Sequence, residues 1–192
     1  EKVKKYLTED RYIHSVSVAK LAYEIAENNG LSIKDDCFIA GLLHDIGKNL
    51  DKAEETKIMK KHFLLYMNLN RKIYHQFTGS YVAERDFHIK NMKILNAIKY
   101  HTTGKRVMTD IEKIVYCSDK IEPTRGFDSR DLINAIKVNL SNGFITILKA
   151  NKESICLSMY DEYALSIYTK LSRNKLRPDI DSCPLGNLIC GY

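Results

Sequence analysis

Residues 41–50 read GLLHDIGKNL, an apolar helical segment that ends in a histidine, an aspartate, a glycine and a lysine. On a helix, the adjacent side chains of His44 and Asp45 would diverge by about 100°. They can converge on one metal ion, and the free oxygen of Asp45 can then reach a second one. We therefore expect Asp45 to bridge two cations, Gly47 to let the backbone turn away, and Lys48 to supply a positive charge beside the metals.

The sequence around this stretch predicts an all-α protein. Apolar residues recur at helical spacing through 9–29. Two capping boxes, Ser32 with Asp35 and Thr109 with Glu112, predict the starts of two further helices. Other helices are predicted over 51–61, 75–86, 91–101, 129–141, 143–157 and 160–171. Helices dominate this prediction because the 9 glycines and 3 prolines leave few turns.

The length and composition predict one domain in the cytoplasm. A chain of 192 residues that is 44% hydrophobic suits one buried core. We assign residues 1–171 to this domain and the aperiodic residues 172–192 to an irregular arm. No apolar run is long enough for a membrane span, and the five cysteines form no CxxC pair. These features favour a protein with free thiols and no membrane partner in a reducing compartment.

The formal net charge of +6 is spread along the chain. Because the lysines are scattered over amphipathic segments and do not alternate with stacking aromatic residues, we do not expect a nucleic acid partner. A modest positive field that attracts a small polyanionic substrate explains the charge equally well.

Six ionisable residues fall on the predicted inner faces of five helices. They are His14, His44, Asp45, His75, His101 and Asp119. Each one taken alone has an ordinary explanation as a hydrogen-bonded core residue or an ion-pair partner. Together they would be costly to bury unless they satisfy one another. Neutral imidazoles and ionised carboxylates are metal ligands, so the set predicts a metal site between helices. His62 and His88 lack this placement.

The order of these six residues resembles the HD superfamily of metal-dependent phosphohydrolases in its two-metal form. Four local strings are similar to the YqeK group of that superfamily: RYIHSVSVAKLA, GLLHDIGK, AIKYHTTG and YCSDKIEPTRGF. The resemblance covers roughly residues 5–170. It implies an HD-domain helical bundle with a dinuclear metal site at its centre.

The YqeK resemblance also implies an activity. Members of the group are symmetrical bis(5'-nucleosyl)-tetraphosphatases, which split diadenosine tetraphosphate into two ADP with iron at the active site, and they are associated with NAD metabolism. By carry-over, one metal is held by His14, His44, Asp45 and Asp119. The other is held by Asp45, His75 and His101. A hydroxide shared by the two metals would be the nucleophile. This nitrogen and oxygen ligand set leaves iron, manganese, cobalt and zinc chemically open, and the resemblance favours iron.

Polar residues beside the expected ligands are candidates to bind the polyphosphate. These candidates are Lys48, Thr102, Thr103, Gly104, Lys120 and Arg125. The cations would pair with phosphate, the threonine hydroxyls would bond phosphate oxygens, and glycine would allow a close backbone approach. Solvated lysines, an ion pair of Arg125 and a helix stop at HTTG are the ordinary alternatives.

Other functions compatible with the sequence are an HD-type phosphatase or pyrophosphatase acting on (deoxy)mononucleotides and a non-catalytic, metal-bound nucleotide sensor. A homo-oligomer is compatible with each of them. Two positions depart from the pattern that the resemblance leads us to expect. Gln76 follows His75 where we expect a glycine, and Ser118 precedes Asp119 where we expect an alanine. Neither change removes a ligand, but Gln76 is expected to alter the approach to the second metal.

Overall fold

The computed structural model describes residues 1–105 and 107–151, and this part of the chain is helical without any strand. The prediction of an all-α fold is therefore confirmed. The helices are α1 (Glu9–Asn28), α2 (Lys34–Leu43), α3 (Lys52–His62), α4 (Tyr74–Phe87), α5 (Met92–Tyr100), α6 (Asp110–Ile121), α7 (Arg130–Val138) and α8 (Leu140–Ala150). Short 3-10 turns occupy Val3–Lys5, Leu64–Tyr66, Arg71–Ile73 and Pro123–Arg125. None of the described helices combines the length and the apolar character needed to cross a membrane.

Helices α1 and α2 form a closely packed pair at the centre of the bundle. The predicted apolar face of α1 is buried, including Val18, Leu21 and Ile25. A Cβ atom at Gly41 of α2 would lie 2.9 Å from the Cα atom of Ala19 in α1. Glycine is therefore required for the two backbones to approach at this point, and the approach brings the end of α2 next to the middle of α1.

The predicted capping box at Ser32 is wrong. Helix α2 begins at Lys34, its N-cap is Ile33, and no side chain caps it. The first turn instead carries the carboxylates of Asp35 and Asp36, which favour a helix N-terminus through the helix dipole. The start of this helix is thus set by charge and packing rather than by a serine hydroxyl.

The predicted start and end of α6 are confirmed. The backbone N–H of Thr109 donates to the Glu112 carboxylate at 2.7 Å, as a capping box requires. Glu112 is buried and also forms an ion pair with Lys105. The helix ends at Ile121, two residues before Pro123.

The junction between α7 and α8 lies earlier than predicted. Asn139 adopts an extended conformation, and its side chain accepts from the N–H of Asn142, so it ends α7 and caps α8. A Cβ atom at Gly143 would lie 2.2 Å from the Cα atom of Ile136, so the two helices pack at close range. The predicted residues 152–157, the helix over 160–171, the domain boundary at 171 and the arm over 172–192 lie outside the described residues.

The two described cysteines behave as core residues. Cys37 and Cys117 are free thiols and are fully buried. Burial raises the pKa of Cys37 to about 12. Both side chains therefore act as small apolar groups in the core.

Candidate metal centre

Five helices bring the six predicted ligands together, and all of them except His44 line one cavity of about 420 Å³. His44 contacts Asp45 and Asp119 of that lining. His14 belongs to α1, His44 and Asp45 follow α2, His75 lies in the first turn of α4, His101 follows α5, and Asp119 lies in the last turn of α6. All but His14 are buried: their exposed fractions lie between 0% for His44 and 7% for Asp119. The inner-face placement predicted from helical spacing is therefore observed.

Gly47 contributes to the site through a close backbone contact. A Cβ atom at this position would lie 2.6 Å from the backbone nitrogen of Gly79 and 2.7 Å from the carbonyl oxygen of His75. The backbone after α2 therefore packs directly on the backbone of α4, which only glycine permits. The sequence suggested that Gly47 lets the chain turn away, but in the structure it lets Asp45 come close to His75.

Three of the four histidine rings are held by the same kind of backbone bond. The Nδ1 atoms of His44, His75 and His101 each donate to a carbonyl oxygen three residues earlier. Those carbonyl groups belong to Gly41 at 2.7 Å, Lys72 at 2.8 Å and Ile98 at 2.7 Å. With the proton on Nδ1, the Nε2 lone pair of each ring points towards the centre. This orientation by a second hydrogen bond is typical of metal-binding histidines.

His14 is oriented by a carboxylate. Its Nδ1 lies 2.9 Å from Oε1 of Glu122, and its Nε2 lies 3.2 Å from Oδ1 of Asp119. Glu122 is fully buried, and it also accepts from the backbone N–H and the hydroxyl of Thr124, each at 2.7 Å. The sequence analysis missed Glu122. Its position three residues after Asp119, on the same side of the chain, is a signal that could have identified it.

The ligand atoms form two clusters that share one aspartate. His14, His44 and Asp45 form the first, and Asp45, His75 and His101 form the second; in each, the ligand atoms lie within 4.8 Å of one another. Oδ1 of Asp45 is 3.5 Å from Nε2 of both His75 and His101, and Oδ2 is 3.8 Å from Nε2 of His44. The two oxygens of Asp45 thus face different clusters.

Asp119 stands beside the first cluster. Its Oδ1 atom is 3.5 Å from Nε2 of His44, in addition to the contact with His14. That Nε2 atom is buried and has no hydrogen-bond partner among the described residues. An unpaired nitrogen in a buried site costs free energy, and a coordinated cation removes that cost. The residues present therefore fit a metal ion.

The carboxylates in the centre favour their ionised forms. Burial raises the pKa of Asp45, but the imidazoles of His44 and His101 outweigh burial and hold that pKa well below its ordinary value. Burial acts in the same way on Asp119, where the ammonium group of Lys120 contributes most to holding the pKa well below its ordinary value. Both side chains are therefore ready to coordinate a cation at neutral pH.

The histidines differ in their proton affinity. Burial lowers the pKa of His75 well below its ordinary value, and the charges of His101 and Lys48 add to this effect. Burial also lowers the pKa of His101, more than Asp45 raises it. For His44, burial lowers the pKa, but the carboxylates of Asp45 and Asp119 outweigh burial and raise it. A cation therefore competes with a proton at His44 but not at the second cluster.

Positive side chains surround the carboxylates. Arg11 lies one helical turn before His14 and donates to Oδ2 of Asp45 at 3.0 Å. Nζ of Lys48 lies 3.6 Å from Oδ1 of Asp45, and burial lowers the pKa of Lys48. Arg125 contacts Oδ1 of Asp119 and also donates to its carbonyl oxygen at 2.7 Å. The sequence analysis missed Arg11, although its spacing of three from His14 predicts the same helix face.

The six predicted substrate contacts divide into two sets. Lys48, Thr102 and Arg125 line the cavity. Thr103 and Lys120 have other partners: Thr103 bonds Gln76, and Lys120 bonds the carbonyl oxygen of His101 and a carboxylate oxygen of Asp119. Gly104 has φ +66 and donates to the carbonyl oxygen of Tyr100, as expected for the end of a helix.

The two remaining histidines lie away from the centre, as predicted. His62 is exposed and packs against the ring of Tyr81, with the ring centroids 4.3 Å apart. His88 is exposed at the end of α4, where it adopts a left-handed conformation with φ 57. Neither residue contributes to the cavity.

Comparisons with known proteins agree with this geometry. The family model of the HD domain matches residues 11–124. The chain is 34% identical over 161 residues to the symmetrical bis(5'-nucleosyl)-tetraphosphatase of Bacillus subtilis, covering 78% of this chain and 86% of that protein. It is 31% identical over 170 residues to the protein of the same name from Staphylococcus aureus, covering 87% and 86%.

A solved structure also matches. It is the crystal structure of a predicted HD superfamily hydrolase involved in NAD metabolism from Clostridium acetobutylicum, with 28% sequence identity and a TM-score of 0.68. The match covers 80% of this chain and 82% of the other. Residues 11–124, which the HD-domain family model matches, include all six predicted ligands. The chain therefore belongs to the HD-domain family of metal-dependent hydrolases, in its YqeK group.

Proposed function

We propose that this chain is a symmetrical bis(5'-nucleosyl)-tetraphosphatase, which hydrolyses diadenosine tetraphosphate into two ADP. The observation that carries the proposal is the pair of ligand clusters joined by Asp45 in a cavity rimmed with cations. Relatives that bear this name match over most of their length, which supports the choice of substrate.

We infer that the centre holds two metal ions. His14, His44, Asp45 and Asp119 would hold one, and Asp45, His75 and His101 would hold the other. The nitrogen and oxygen donors suit iron, manganese, cobalt or zinc, and the family analogy favours iron. When bound, such ions supply a Lewis acid for phosphoryl oxygens and lower the pKa of a coordinated water.

The chain's own residues orient the centre. Glu122 fixes the ring of His14, and backbone carbonyl groups fix the other three imidazoles. Asp45 connects the two clusters, so one short side chain sets their separation. Because these groups are already held in the folded protein, little reorganisation is needed when the substrate reacts.

The cavity wall binds the polyphosphate in this proposal. Arg11, Lys48 and Arg125 provide positive charge, and the Thr102 hydroxyl can donate to a phosphoryl oxygen. Water adds its oxygen to one of the two central phosphorus atoms, and the bond from that atom to the central bridging oxygen breaks. The leaving nucleoside diphosphate is a weak base, so it needs little help from a general acid.

An HD-type phosphatase or pyrophosphatase acting on mononucleotides is the second candidate. The same ligand clusters and cavity cations would serve the hydrolysis of a mononucleotide, so the ligand residues do not separate the two candidates. A non-catalytic nucleotide sensor is a weaker candidate, because the centre keeps every ligand that the family pattern requires and places cations around it.

The proposal is tested by incubating iron-loaded protein with diadenosine tetraphosphate under anaerobic conditions and separating the products by chromatography. We expect ADP as the only nucleotide product. AMP with ATP would contradict symmetrical cleavage. Hydrolysis of mononucleotides without any turnover of diadenosine tetraphosphate would favour the second candidate.

A further inference from the structure

Gln76 is a buried polar residue that the proposed chemistry does not yet use. It follows His75 on α4, and its exposed fraction is 0%. Its Nε2 atom donates to the Thr103 hydroxyl oxygen at 3.2 Å, and its Oε1 atom accepts from the Thr103 backbone N–H at 3.3 Å. Both ends of one amide therefore hold a single residue of the turn after α5. A glycine at position 76 could form neither bond.

The hydroxyl of Thr103 completes this arrangement. While its oxygen accepts from Gln76, its proton can be donated to the carbonyl oxygen of Gly104, 3.1 Å away. We call the paired side chains of Gln76 and Thr103 the amide clamp. It connects α4 with the turn over 101–104, and the polar groups of both side chains find hydrogen-bond partners within the protein.

Each residue of the amide clamp has a neighbour in the cavity. His75 precedes Gln76, and Thr102 precedes Thr103. The Thr102 hydroxyl lies 3.1 Å from Nε2 of His75 and 2.9 Å from Nε2 of His101. Because the amide clamp holds Gln76 against Thr103, it fixes the position of the Thr102 hydroxyl relative to the imidazoles of His75 and His101.

We propose that Gln76 is a positioning residue, which through Thr103 holds the Thr102 hydroxyl at the edge of the His75–His101 cluster to donate to a phosphoryl oxygen of the nucleotide. This inference rests on the proposed function and adds a specific donor to it. A hydroxyl has one proton, which in the structure faces the Nε2 lone pairs of His75 and His101. Coordination of those nitrogens to a metal ion would free it for the phosphoryl oxygen. A displacement of about 1 Å at such a donor can lower a rate by up to about 10²-fold.

A double-mutant cycle tests this role. Gln76→Met keeps the length of the side chain but removes both amide bonds, and Thr102→Val removes the donor. We expect each single variant to lose about tenfold in kcat on diadenosine tetraphosphate with unchanged metal content. Because the clamp acts through Thr102, the double variant should be no slower than Thr102→Val alone. Independent losses that multiply to about a hundredfold would overturn the proposal.

Ser80→Ala is the matched control. Ser80 lies one turn further along α4, is also buried, and donates to the carbonyl oxygen of Leu95 in α5 at 3.0 Å. Its removal deletes a buried hydrogen bond between α4 and α5, and neither Ser80 nor Leu95 lines the cavity. We expect a lower Tm with an unchanged kcat. An equal loss of kcat in Ser80→Ala would mean that Gln76 acts only through general stability and would overturn the proposal.

ADP binding provides a measurement that does not depend on turnover. Calorimetric titration of ADP into manganese-loaded protein should show about tenfold weaker binding to Gln76→Met and to Thr102→Val than to the wild type. If wild-type protein binds ADP but hydrolyses no dinucleotide, the proposed function fails and the clamp is still judged from these affinities. Equal affinities in the wild type and Gln76→Met would overturn the clamp. Absence of ADP binding to the wild type would overturn the clamp as a determinant of nucleotide binding, whereas the proposed function is judged from the products of dinucleotide hydrolysis.

Discussion

The two ligand clusters around Asp45 are built differently. The His14–His44 cluster is rich in acidic groups, with Asp119 in contact with both rings and Glu122 behind His14. The second cluster, Asp45 with His75 and His101, has no acidic group besides Asp45 among the described residues, and backbone carbonyls orient its rings. Because the first cluster offers more negative charge and four potential protein ligands, we expect it to hold its cation more tightly.

Replacing the shared residue should have the largest effect. Asp45→Ala removes the carboxylate whose oxygens face both clusters, so both metals and all turnover should be lost. Metal content measured by mass spectrometry and the rate of ADP release check this prediction. An active variant that still carries two metals would show that Asp45 does not join the clusters.

Changes within one cluster should separate the two sites. His101→Ala removes a nitrogen ligand from the second cluster, which we expect to bind its metal less tightly. One metal per chain should remain while turnover falls by at least about 10²-fold. A chelator should likewise remove the metal of the second cluster from wild-type protein much more readily than the metal of the His14–His44 cluster. Loss of both metals from His101→Ala would mean that the clusters bind cooperatively rather than with different strengths.

A smaller effect is expected from the residue behind His14. Glu122→Gln keeps the shape of the side chain but weakens the hydrogen bond that orients the His14 imidazole. Changes to a residue that orients a metal ligand cost about 10–100-fold in metal affinity or activity. Metal titration should show the loss at the tighter site only. The same metal affinity in the variant and the wild type would mean that Glu122 does not support metal binding by the His14–His44 cluster.

The cavity cations should affect substrate binding more than metal content. Arg11→Gln removes a positive charge that lies 3.0 Å from Asp45 in the cavity wall, so KM for the polyphosphate should rise about tenfold. Arg85→Gln is the matched control, because Arg85 pairs with Asp86 and Glu54 on the surface. A similar rise in KM for both variants would indicate a general field effect.

The smallest effect is expected at a histidine outside both clusters. His88 is exposed and ends α4 in a left-handed conformation, so His88→Ala should leave the metal content and the rate nearly unchanged. A large loss in a turnover assay would contradict the position of His88 outside both clusters.

Helical periodicity was sufficient to predict that the six proposed ligands face the core, although it missed Arg11 and Glu122 beside them. His14, His75 and Asp119 each continue an apolar face, so the core that buries that face also gathers the ligands. Close contacts between helices could not be predicted in this way. The need for glycine at Gly47 depends on how near the backbone of α4 passes, which no local pattern encodes. The amide clamp of Gln76 depends in the same way on the approach of α4 to the turn after α5.

Local capping signals were reliable only where tertiary structure agreed with them. Thr109 begins α6 because its partner Glu112 is buried beside Lys105. Ser32 has the same sequence signal, but α2 begins without a side-chain cap because its position is set by packing against α1. The missed residues Arg11 and Glu122 carried a readable signal, since each is three positions from a predicted ligand.

The most direct test of the shared aspartate is anomalous diffraction from crystals of the iron-loaded protein. We predict two anomalous peaks about 3.5–4 Å apart, with one oxygen of Asp45 bound to each ion. His75 and His101 should coordinate the ion at one peak, and His14 and His44 should coordinate the ion at the other. A single peak, or two peaks with Asp45 bound to only one of them, would contradict a dinuclear centre joined by this carboxylate.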